Sequence, residues 1–275
     1  MKKLSIYILG AVLVGFTFTA CEEDEGLFGN NSVETQLGEQ QLLAESLTST
    51  VFNVVDRLLR DTSFTSGDTV TINNASAVRQ GDTVRVLYGN GVVGADGTVT
   101  KGTLRVELTG NYLTAGSLAI VTLQNYQRDG DKVTGSLAID NKSLGTIEIR
   151  VANFSVNNEF TFSATKNIIW TEGFSTFNDF SDDKYTLLGT ANLAETNSNN
   201  AIASSINDTL QYDRSCQYGI TQGIIDLTIS GDSTKFDTGS IDFIKSDGCN
   251  NAVTITLTDT ATSQQIVTPT QFSGF

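Results

Sequence analysis

The segment 102–139 reads GTLRVELTGNYLTAGSLAIVTLQNYQRDGDKVTGSLAI, and it contains the pattern that decides the fold. Apolar and polar side chains alternate over residues 103–108, a period of two that places one face of a strand on a core and the other in water. The run 117–126 carries apolar side chains on both faces, which predicts a more central strand. The dipeptide Asp129-Gly130 predicts a turn into a third strand at 133–139. The segment therefore predicts an antiparallel meander of three strands.

The composition extends this prediction to most of the chain. Its 275 residues are enough to bury a large core, and 25 glycines against one proline favour many short strands. Strand patterns separated by Gly, Asn and Asp recur from residue 68 to the end. We expect a mainly β domain over residues 62–275, built as an antiparallel β-sandwich or as one large curled sheet.

Charge and histidine content exclude several functional classes. The formal net charge is -14, and so acidic a surface repels phosphate backbones, which argues against a nucleic-acid partner. The chain contains no histidine, the commonest general base near neutral pH and the commonest transition-metal ligand. Hydrolases with a Ser-His triad and His-bound zinc sites are therefore excluded, and we expect no metal ion and no cofactor.

Residues 1–20 have the features of an export signal. Two lysines at positions 2 and 3 precede a short apolar run at 4–18, so we exclude 1–20 from the fold as a signal peptide. The four residues that end at Cys21, FTAC, resemble a lipobox, the processing site of bacterial lipoproteins. That resemblance implies that Cys21 is lipidated, becomes the new N-terminus and anchors the protein in a membrane. An ordinary secretory signal followed by a chance cysteine is the alternative.

An acidic tether follows at 21–33. Its sequence EEDE at 22–25 is a charged run that keeps a linker solvated and extended. The run also resembles the acidic export signal that follows the lipidated cysteine in surface lipoproteins of the Bacteroidota. That resemblance implies an outer-membrane protein displayed at the cell surface, and the inner leaflet of the outer membrane is the alternative.

The period of the sequence changes to that of a helix at 34–61. Apolar side chains recur there every three or four residues, which predicts one amphipathic helix of about 26 residues and roughly 39 Å. We expect this apolar stripe to pack on the β domain, and a coiled contact with a partner protein is the alternative. The stripe comprises Leu43, Leu47, Val51, Val54, Val55, Leu58 and Leu59.

Two further cysteines, Cys216 and Cys249, remain once Cys21 is acylated. In an exported protein two such cysteines, each beside a predicted strand, most simply form one disulfide. A redox-active or nucleophilic cysteine is the alternative, but the chain offers neither a CxxC spacing nor a histidine that could activate a thiol.

The stretch 170–185 is the clearest candidate for a ligand-binding loop. It gathers aromatic and acidic side chains without a clear period, and exposed aromatic rings in a loop are where a sugar or a peptide would stack. The alternative is that these rings fold back as a plug at the end of the β domain. The aromatic residues are Trp170, Phe174, Phe177, Phe180 and Tyr185.

Three runs place acidic or amide side chains at short spacing. None reproduces a twelve-residue EF-hand loop, so we expect turns rather than calcium sites. The paired carboxylates of a glycoside hydrolase are the alternative, although the sequence marks no particular pair. The runs are Asp129 with Asp131, Asp179 with Asp182 and Asp183, and Asp247 with Asn250 and Asn251.

Five short motifs, each an Asp followed by Ser or Thr, resemble the O-glycosylation site of exported Bacteroidota proteins. Such a modification agrees with a location outside the cytoplasm, and it would help to keep a protein rich in strand edges soluble. The hydroxyl residues are Thr69, Thr83, Thr209, Ser233 and Thr260.

The order of motifs between residues 84 and 257 resembles a family of uncharacterised Bacteroidota cell-envelope lipoproteins. The shared features are a glycine turn, the patterns GTLRVELTG, SDDKYTLLGTA and QGIIDLTISG, and a late cysteine pair that ends in SDGCNNAVTITL. The resemblance implies a lipid-anchored β protein and transfers no catalytic residue.

We therefore expect a non-enzymatic surface or outer-membrane lipoprotein that binds a glycan or another envelope protein. A structural component of the envelope is the second hypothesis, and a carboxylate-based glycoside hydrolase is the third. The three differ in what the fold should contain: an exposed aromatic patch for a binding protein, an uncovered apolar helix face for a structural component, and two facing acids in a cleft for a hydrolase.

Overall fold

A computed structural model describes residues 32–94, 97–176, 179–216, 219–232, 234–243 and 249–272. In that part of the chain one long helix, α1 (Val33–Arg60), is followed by fourteen β-strands and two single-turn 3-10 helices, Phe174–Thr176 and Phe180–Asp182. The strands are β1 Thr69–Ile72, β2 Ala75–Gln80, β3 Thr83–Val93, β4 Val99–Thr109, β5 Leu118–Arg128, β6 Asp131–Ser143, β7 Thr146–Val156, β8 Phe160–Glu172, β9 Lys184–Glu195, β10 Ala201–Asp213, β11 Ile220–Ser230, β12 Thr238–Phe243, β13 Ala252–Asp259 and β14 Gln264–Gln271.

All fourteen strands form one sheet, in which neighbours in sequence are neighbours in space. The mainly β class with one N-terminal helix is thus confirmed, and the described strands form a single antiparallel sheet rather than two facing sheets. The meander predicted at 102–139 corresponds to β4, β5 and β6. Asp129 and Gly130 adopt positive φ angles of 51° and 97°, as the tight hairpin turn between β5 and β6 requires.

Helix α1 lies inside the curve of the sheet. Strands that are far apart in the sheet both reach it: Lys166 of β8 pairs with Glu45, and a side chain at Gly38 would meet Ile255 of β13 at 3.2 Å. Five spacings separate β8 from β13, about 24 Å in a flat sheet, whereas a helix is about 10 Å across. The sheet must therefore bend around the helix, and its buried side chains form one core with those of α1.

The helix is buried on its polar side as well as on its apolar side. The apolar stripe packs into the β domain, as expected, and Leu43 is its one partly buried member. Several polar side chains of the same helix are buried too. Because a buried polar group is costly unless it is paired, these groups need partners on the sheet. They are Glu34, Thr35, Gln41, Glu45, Ser46, Thr48, Thr50, Asp56 and Arg60.

Helix α1 runs from one end of the molecule to the other. At its start the Glu34 carboxylate accepts the backbone amides of Lys235 and Phe236, between β11 and β12. At its end Arg60 contacts Asp183, in the connection from β8 to β9. The 28 residues of α1 place these two ends about 42 Å apart. Neither α1 nor any other described helix combines the length and hydropathy needed to cross a membrane.

Strand β14 forms one end of the sheet, and its sequence suits that place. The amide of Phe272 donates to the carbonyl of Asn251 beside β13, so even-numbered amides of β14 point to β13 and odd-numbered ones point to the outer edge. Pro269, the one proline of the chain, therefore places its missing N–H on that edge. Proline at this position hinders pairing with a further strand.

Candidate functional site

A buried cluster of charged side chains lies at the C-terminal end of α1. The Arg60 guanidinium is fully buried, and its Nη1 and Nη2 donate to the two carboxylate oxygens of Asp183 at 2.5 and 3.4 Å. Nη1 also lies 3.4 Å from Oδ2 of Asp56, one turn earlier on the helix. Arg214, between β10 and β11, donates to the same Asp56 oxygen at 2.6 Å. Two guanidinium groups therefore face two carboxylates, and their charges balance.

Two tyrosines complete the hydrogen bonding of these carboxylates. Tyr112, between β4 and β5, donates to Asp56 at 2.9 Å, and Tyr185 of β9 donates to Asp183 at 2.9 Å. Burial raises the pKa of both phenols, and the charge of Asp56 adds to this effect, so both keep their protons. Burial alone would lower the pKa of Arg60, but its hydrogen bond to Asp183 and the charge of Asp56 raise it. The cluster is thus suited to holding α1 in the sheet rather than to proton transfer.

Trp170 and Tyr185, which the sequence places in a candidate ligand-binding loop, lie in the core. Strand β8 continues to residue 172 and β9 begins at 184, so the loop is shorter than the sequence suggests. The two residues stand opposite each other on these strands and are 9% and 2% exposed, so neither offers a ring face to a ligand. Phe174 is exposed, Phe180 is partly buried, and Phe177 lies outside the described residues.

Phe180 forms the wall between two clefts that lie next to the charged cluster. The first cleft has a volume of about 510 Å³ and the second about 580 Å³, and Phe180, Arg57 and Asn73 line both. The ring of Phe180 also lies 4.4 Å from the guanidinium carbon of Arg60 and 5.5 Å from that of Arg214. These cation–π contacts hold the ring in place from the protein side.

One face of α1 lines the first cleft with Thr50, Asn53 and Arg57. Their spacing of three and four residues places them on the same side of the helix. The amide nitrogen of Asn53 donates to the Tyr212 hydroxyl at 2.7 Å. Within the described residues, neither Oδ1 of Asn53 nor Oγ1 of Thr50 has a hydrogen-bond partner, although both atoms are buried. Arg57 is exposed, and its guanidinium carbon lies 5.7 Å from the centre of the Phe180 ring.

The disulfide predicted between Cys216 and Cys249 is confirmed, and it borders the first cleft. The two Cα atoms lie 5.2 Å apart. Cys216 lines the cleft, so the bond ties the β10–β11 connection, which carries Arg214, to the segment that precedes β13. Cys21, the predicted lipidation site, lies outside the described residues.

The acidic runs lie in different surroundings: Asp131 begins β6, and Asp182 ends the second 3-10 helix. Asp129 lies in the tight turn between β5 and β6. Asp179 accepts the amide and the hydroxyl of Ser181 at 3.0 and 2.6 Å, a local contact typical of turns. Asp183 is instead part of the buried cluster, and Asp247 lies outside the described residues. Nowhere in the described ranges do three His, Cys, Asp or Glu side chains come together in a way that could hold a metal ion.

The five predicted O-glycosylation residues differ in exposure. Thr69 and Thr260 are exposed, Thr83 and Thr209 are partly buried, and Ser233 lies outside the described residues. The hydroxyl of Thr260 donates to Asp237. Thr69, at the first position of β1, is therefore the position best suited to modification.

A second buried ion pair joins the middle of α1 to β8. The Lys166 ammonium contacts the Glu45 carboxylate, which also accepts the amide of Gln41 at 3.0 Å. A small cavity of about 20 Å³ lies beside Lys166. Burial lowers the pKa of Lys166 to about 7. Like the cluster at the helix end, this pair holds α1 to the sheet.

The sequence reasoning missed the residues that build the site. The available signal was the spacing of Asp56 and Arg60, four residues apart on the predicted helix, where opposite charges pair. Such pairs also occur on exposed helix faces, so the spacing does not reveal burial. One polar face of α1 contains Thr50, Asn53 and Arg57. From the sequence alone, this face would be expected to be exposed to solvent.

The first cleft is the feature best suited to binding a ligand, because it combines a partly exposed ring, an exposed cation and two buried oxygen atoms without partners. Its geometry is the basis for assigning a function, since neither a protein-family model, nor a curated protein, nor a solved structure matches this chain.

Proposed function

We propose that the protein is a lipid-anchored outer-membrane protein, displayed at the cell surface, that binds a glycan without catalysis in the first cleft. One observation carries the glycan-binding part: the partly exposed ring of Phe180 stands beside the hydrogen-bonding side chains of α1 in a cleft of about 510 Å³. Sites for small ligands commonly have volumes of about 300–1,000 Å³ and combine apolar surface with a few polar groups.

The chemistry of the cleft suits a sugar. The C–H face of a pyranose stacks on an aromatic ring, which Phe180 supplies. Sugar hydroxyls bond to amides and guanidinium groups, which Asn53, Asn73 and Arg57 supply. Because the arginine contacts behind Phe180 already hold its ring, binding would require little reordering of that ring.

The carboxylates near the cleft support binding rather than hydrolysis. Most glycoside hydrolases use two carboxyl groups that face the scissile bond. Among the described residues that line the first cleft, Asp179 is the one carboxylate, and it is bonded to Ser181. Asp56 and Asp183 are buried in the charged cluster, where both are paired with arginines. In the described part of the chain, the cleft therefore lacks the facing pair of acids that a hydrolase requires.

The position of the cleft supports display away from a membrane. Helix α1 begins at Val33, shortly after the predicted anchor at Cys21, and Arg57 lies about 36 Å further along the helix axis. The cleft therefore lies at the end of α1 that is farther along the chain from an anchor at Cys21.

Exposed apolar side chains favour a second candidate function, contact with another envelope protein. Leu144 is 73% exposed, Ile169 40% and Phe174 37%. The adjacent Gly145 lies next to Trp170 and Phe174, so these side chains share one region of the surface. Apolar side chains grouped in this way are typical of contacts between proteins. The apolar stripe of α1, in contrast, is enclosed by its own sheet.

Metabolic labelling tests the anchor. Cells that express the full-length protein are grown with an alkyne-labelled fatty acid, and intact cells are treated with protease. We expect label on the wild type, loss of label in Cys21→Ala, and digestion of the wild-type protein on intact cells. An unlabelled wild-type protein would overturn the anchor, and a labelled but protected protein would overturn surface display.

A glycan array tests binding. The full-length protein, purified in detergent, is compared with Phe180→Ala and with the matched control Phe174→Ala, which removes an exposed ring outside the cleft. We expect the wild type to bind at least one glycan, Phe180→Ala to lose at least tenfold in affinity, and the control to bind normally. Thermal unfolding verifies that Phe180→Ala is folded. Absence of glycan binding, or equal loss in both variants, would contradict the proposal.

A further inference from the structure

Arg57 is, among the described residues, the cation of the first cleft without an ion-pair partner. Arg214, the other arginine that lines the cleft, lies 2.6 Å from Asp56. Arg57 makes a contact with the Phe180 ring at 5.7 Å, and in the described part of the chain no carboxylate oxygen lies within ion-pair distance of it. An exposed guanidinium offers five N–H donors in a planar fork that matches a carboxylate.

The acidic side chains that line the two clefts with Arg57 accept hydrogen bonds from nearby residues. Asp179, which lines the first cleft, accepts two hydrogen bonds from Ser181. Asp61, which lines the second cleft, accepts the amide and hydroxyl of Ser63 at 2.9 and 2.6 Å. Arg57 forms an ion pair with neither carboxylate, so it is open to an anion from solvent.

Two buried oxygen atoms on the same helix face point to the rest of the ligand. Thr50 is 8% exposed, and neither its Oγ1 nor Oδ1 of Asn53 has a hydrogen-bond partner among the described residues. A buried polar atom without a partner costs about 1–3 kcal/mol. Because both atoms are buried, each side chain must turn towards the cleft before a sugar hydroxyl can donate to it, and that hydrogen bond then stabilises the complex. Thr50 and Arg57 lie about 10 Å apart along the axis, which a disaccharide can span.

From these contacts we infer that the cleft selects an acidic saccharide, a sugar chain that carries a carboxylate. Arg57 binds the carboxylate, the ring of Phe180 stacks on a sugar ring, and Thr50 and Asn53 accept sugar hydroxyls. The inference rests on the proposed glycan-binding function and adds the chemical class of the ligand. It also explains why an exposed cation faces a cleft of a protein whose formal net charge is -14.

The test uses paired probes that differ in one functional group. Uronic-acid oligosaccharides, trigalacturonate among them, are arrayed beside the same chains after reduction of their carboxylates to alcohols. We expect the wild-type protein to bind the acidic member at least tenfold more tightly than the reduced member at low salt, and the preference to shrink as salt is added.

Variants of the full-length protein separate the roles of the side chains. Arg57→Gln should abolish the preference for the acidic member and keep binding of the reduced one, because it removes the charge and leaves a hydrogen-bonding group. Thr50→Val should weaken both members of a pair equally. Arg85→Gln, an exposed arginine of β3, is the matched control and should leave the preference unchanged.

Each outcome decides between the inference and the function on which it rests. Equal affinity for the two members of a pair, or a preference that survives in Arg57→Gln, would overturn the acidic ligand and leave glycan binding standing. Binding to no member of the array would overturn both.

Discussion

Two buried ionic sites join α1 to the sheet, and they differ in how fully their charges are compensated. At the end of the helix Arg60 contacts both Asp56 and Asp183, within 3.4 Å. Near the middle of the helix, Glu45 is the carboxylate partner of Lys166, which belongs to β8. The pKa of Arg60 is raised, against the effect of burial, by its hydrogen bond to Asp183 and the charge of Asp56, whereas burial lowers the pKa of Lys166 to about 7.

Burial alone therefore does not decide whether a side chain keeps its charge. Both cations are at most 4% exposed. A guanidinium has five donors that several acceptors can share, and it is weakly hydrated, whereas an ammonium is a compact and strongly hydrated charge. With one carboxylate beside it, Lys166 recovers less of its lost hydration than Arg60 does. We therefore expect the stability contributed by the helix end to be insensitive to pH near 7, and the stability contributed by the Glu45–Lys166 pair to respond to it.

The largest effect is expected when the better-compensated site loses its central cation. Arg60→Met leaves two buried carboxylates with Arg214 as their remaining cation, which should lower the free energy of unfolding by about 3–5 kcal/mol. Urea unfolding at pH 7 measures the loss. The neighbouring Arg57→Gln, at an exposed position, is the control and should stay within about 0.5 kcal/mol of the wild type. A loss below about 1 kcal/mol in Arg60→Met would contradict the role assigned to this cluster.

A double-mutant cycle examines the second site in the same way. Lys166→Met leaves the Glu45 carboxylate without its cation, and we expect the free energy of unfolding to fall by about 2–3 kcal/mol at pH 6, below the pKa of Lys166. Adding Glu45→Leu should restore most of this loss, because removing both charges leaves apolar side chains in an apolar place. If the two losses simply add, the two side chains do not interact and the pairing is wrong.

The pH dependence of stability distinguishes the two sites most directly. Lys166 has a pKa of about 7 when folded and a reference value of 10.5. Between these values the unfolded chain binds more protons, so stability should rise with pH, by about 2 kcal/mol from pH 7 to 9. Below about pH 6 the contribution of Lys166 should be constant. At pH 9 unfolded tyrosines, with a reference pKa of about 10, are still mostly protonated.

Two variants act as references for that profile. Lys166→Met should lose the rise between pH 7 and 9, whereas Lys142→Gln, at an exposed lysine, should keep it. A flat profile in the wild-type protein would mean that Glu45 holds Lys166 in its charged form. The two ionic sites would then be equally well compensated.

The smallest effect concerns the hydroxyl groups around the helix end. Tyr112→Phe removes the hydrogen bond to Asp56 and should cost about 1 kcal/mol, because Arg60 and Arg214 still face that carboxylate. Tyr88→Phe is the control, since ring contacts rather than a hydrogen bond hold that side chain among the described residues. Denaturant midpoints at constant slope measure both. A loss in Tyr112→Phe no larger than in the control would show that the arginines alone satisfy Asp56.

Local patterns were sufficient to predict several elements. The helix predicted at 34–61 is observed as Val33–Arg60, since its apolar period lies within one continuous segment. The meander was predicted because alternation and turn residues such as Asp129 and Gly130 act over a few positions. The disulfide followed from counting, because two cysteines offer one pairing.

Elements without such a pattern were missed. Strand β14 alternates between exposed and half-buried side chains, so it has no apolar stripe, and β2 is too short to establish a period. The sequence predicts one loop at 170–185, because the sequence does not show whether Trp170 and Tyr185 face solvent or the core. Strand alternation in β8 and β9 turns both inward.

By itself the sequence determined the class of the fold, the long helix and the disulfide, because alternation, helical period and cysteine count are properties of neighbouring residues or of simple totals. The tertiary structure alone decided that the polar side of α1 is buried as well, because that depends on a sheet curving around the helix. It also decided which distant residues meet there: Asp56 with Arg214, and Lys166 with Glu45. A pattern along one helix records which side chains are polar, but their partners and the cleft beside them arise when strands far apart in sequence close around it.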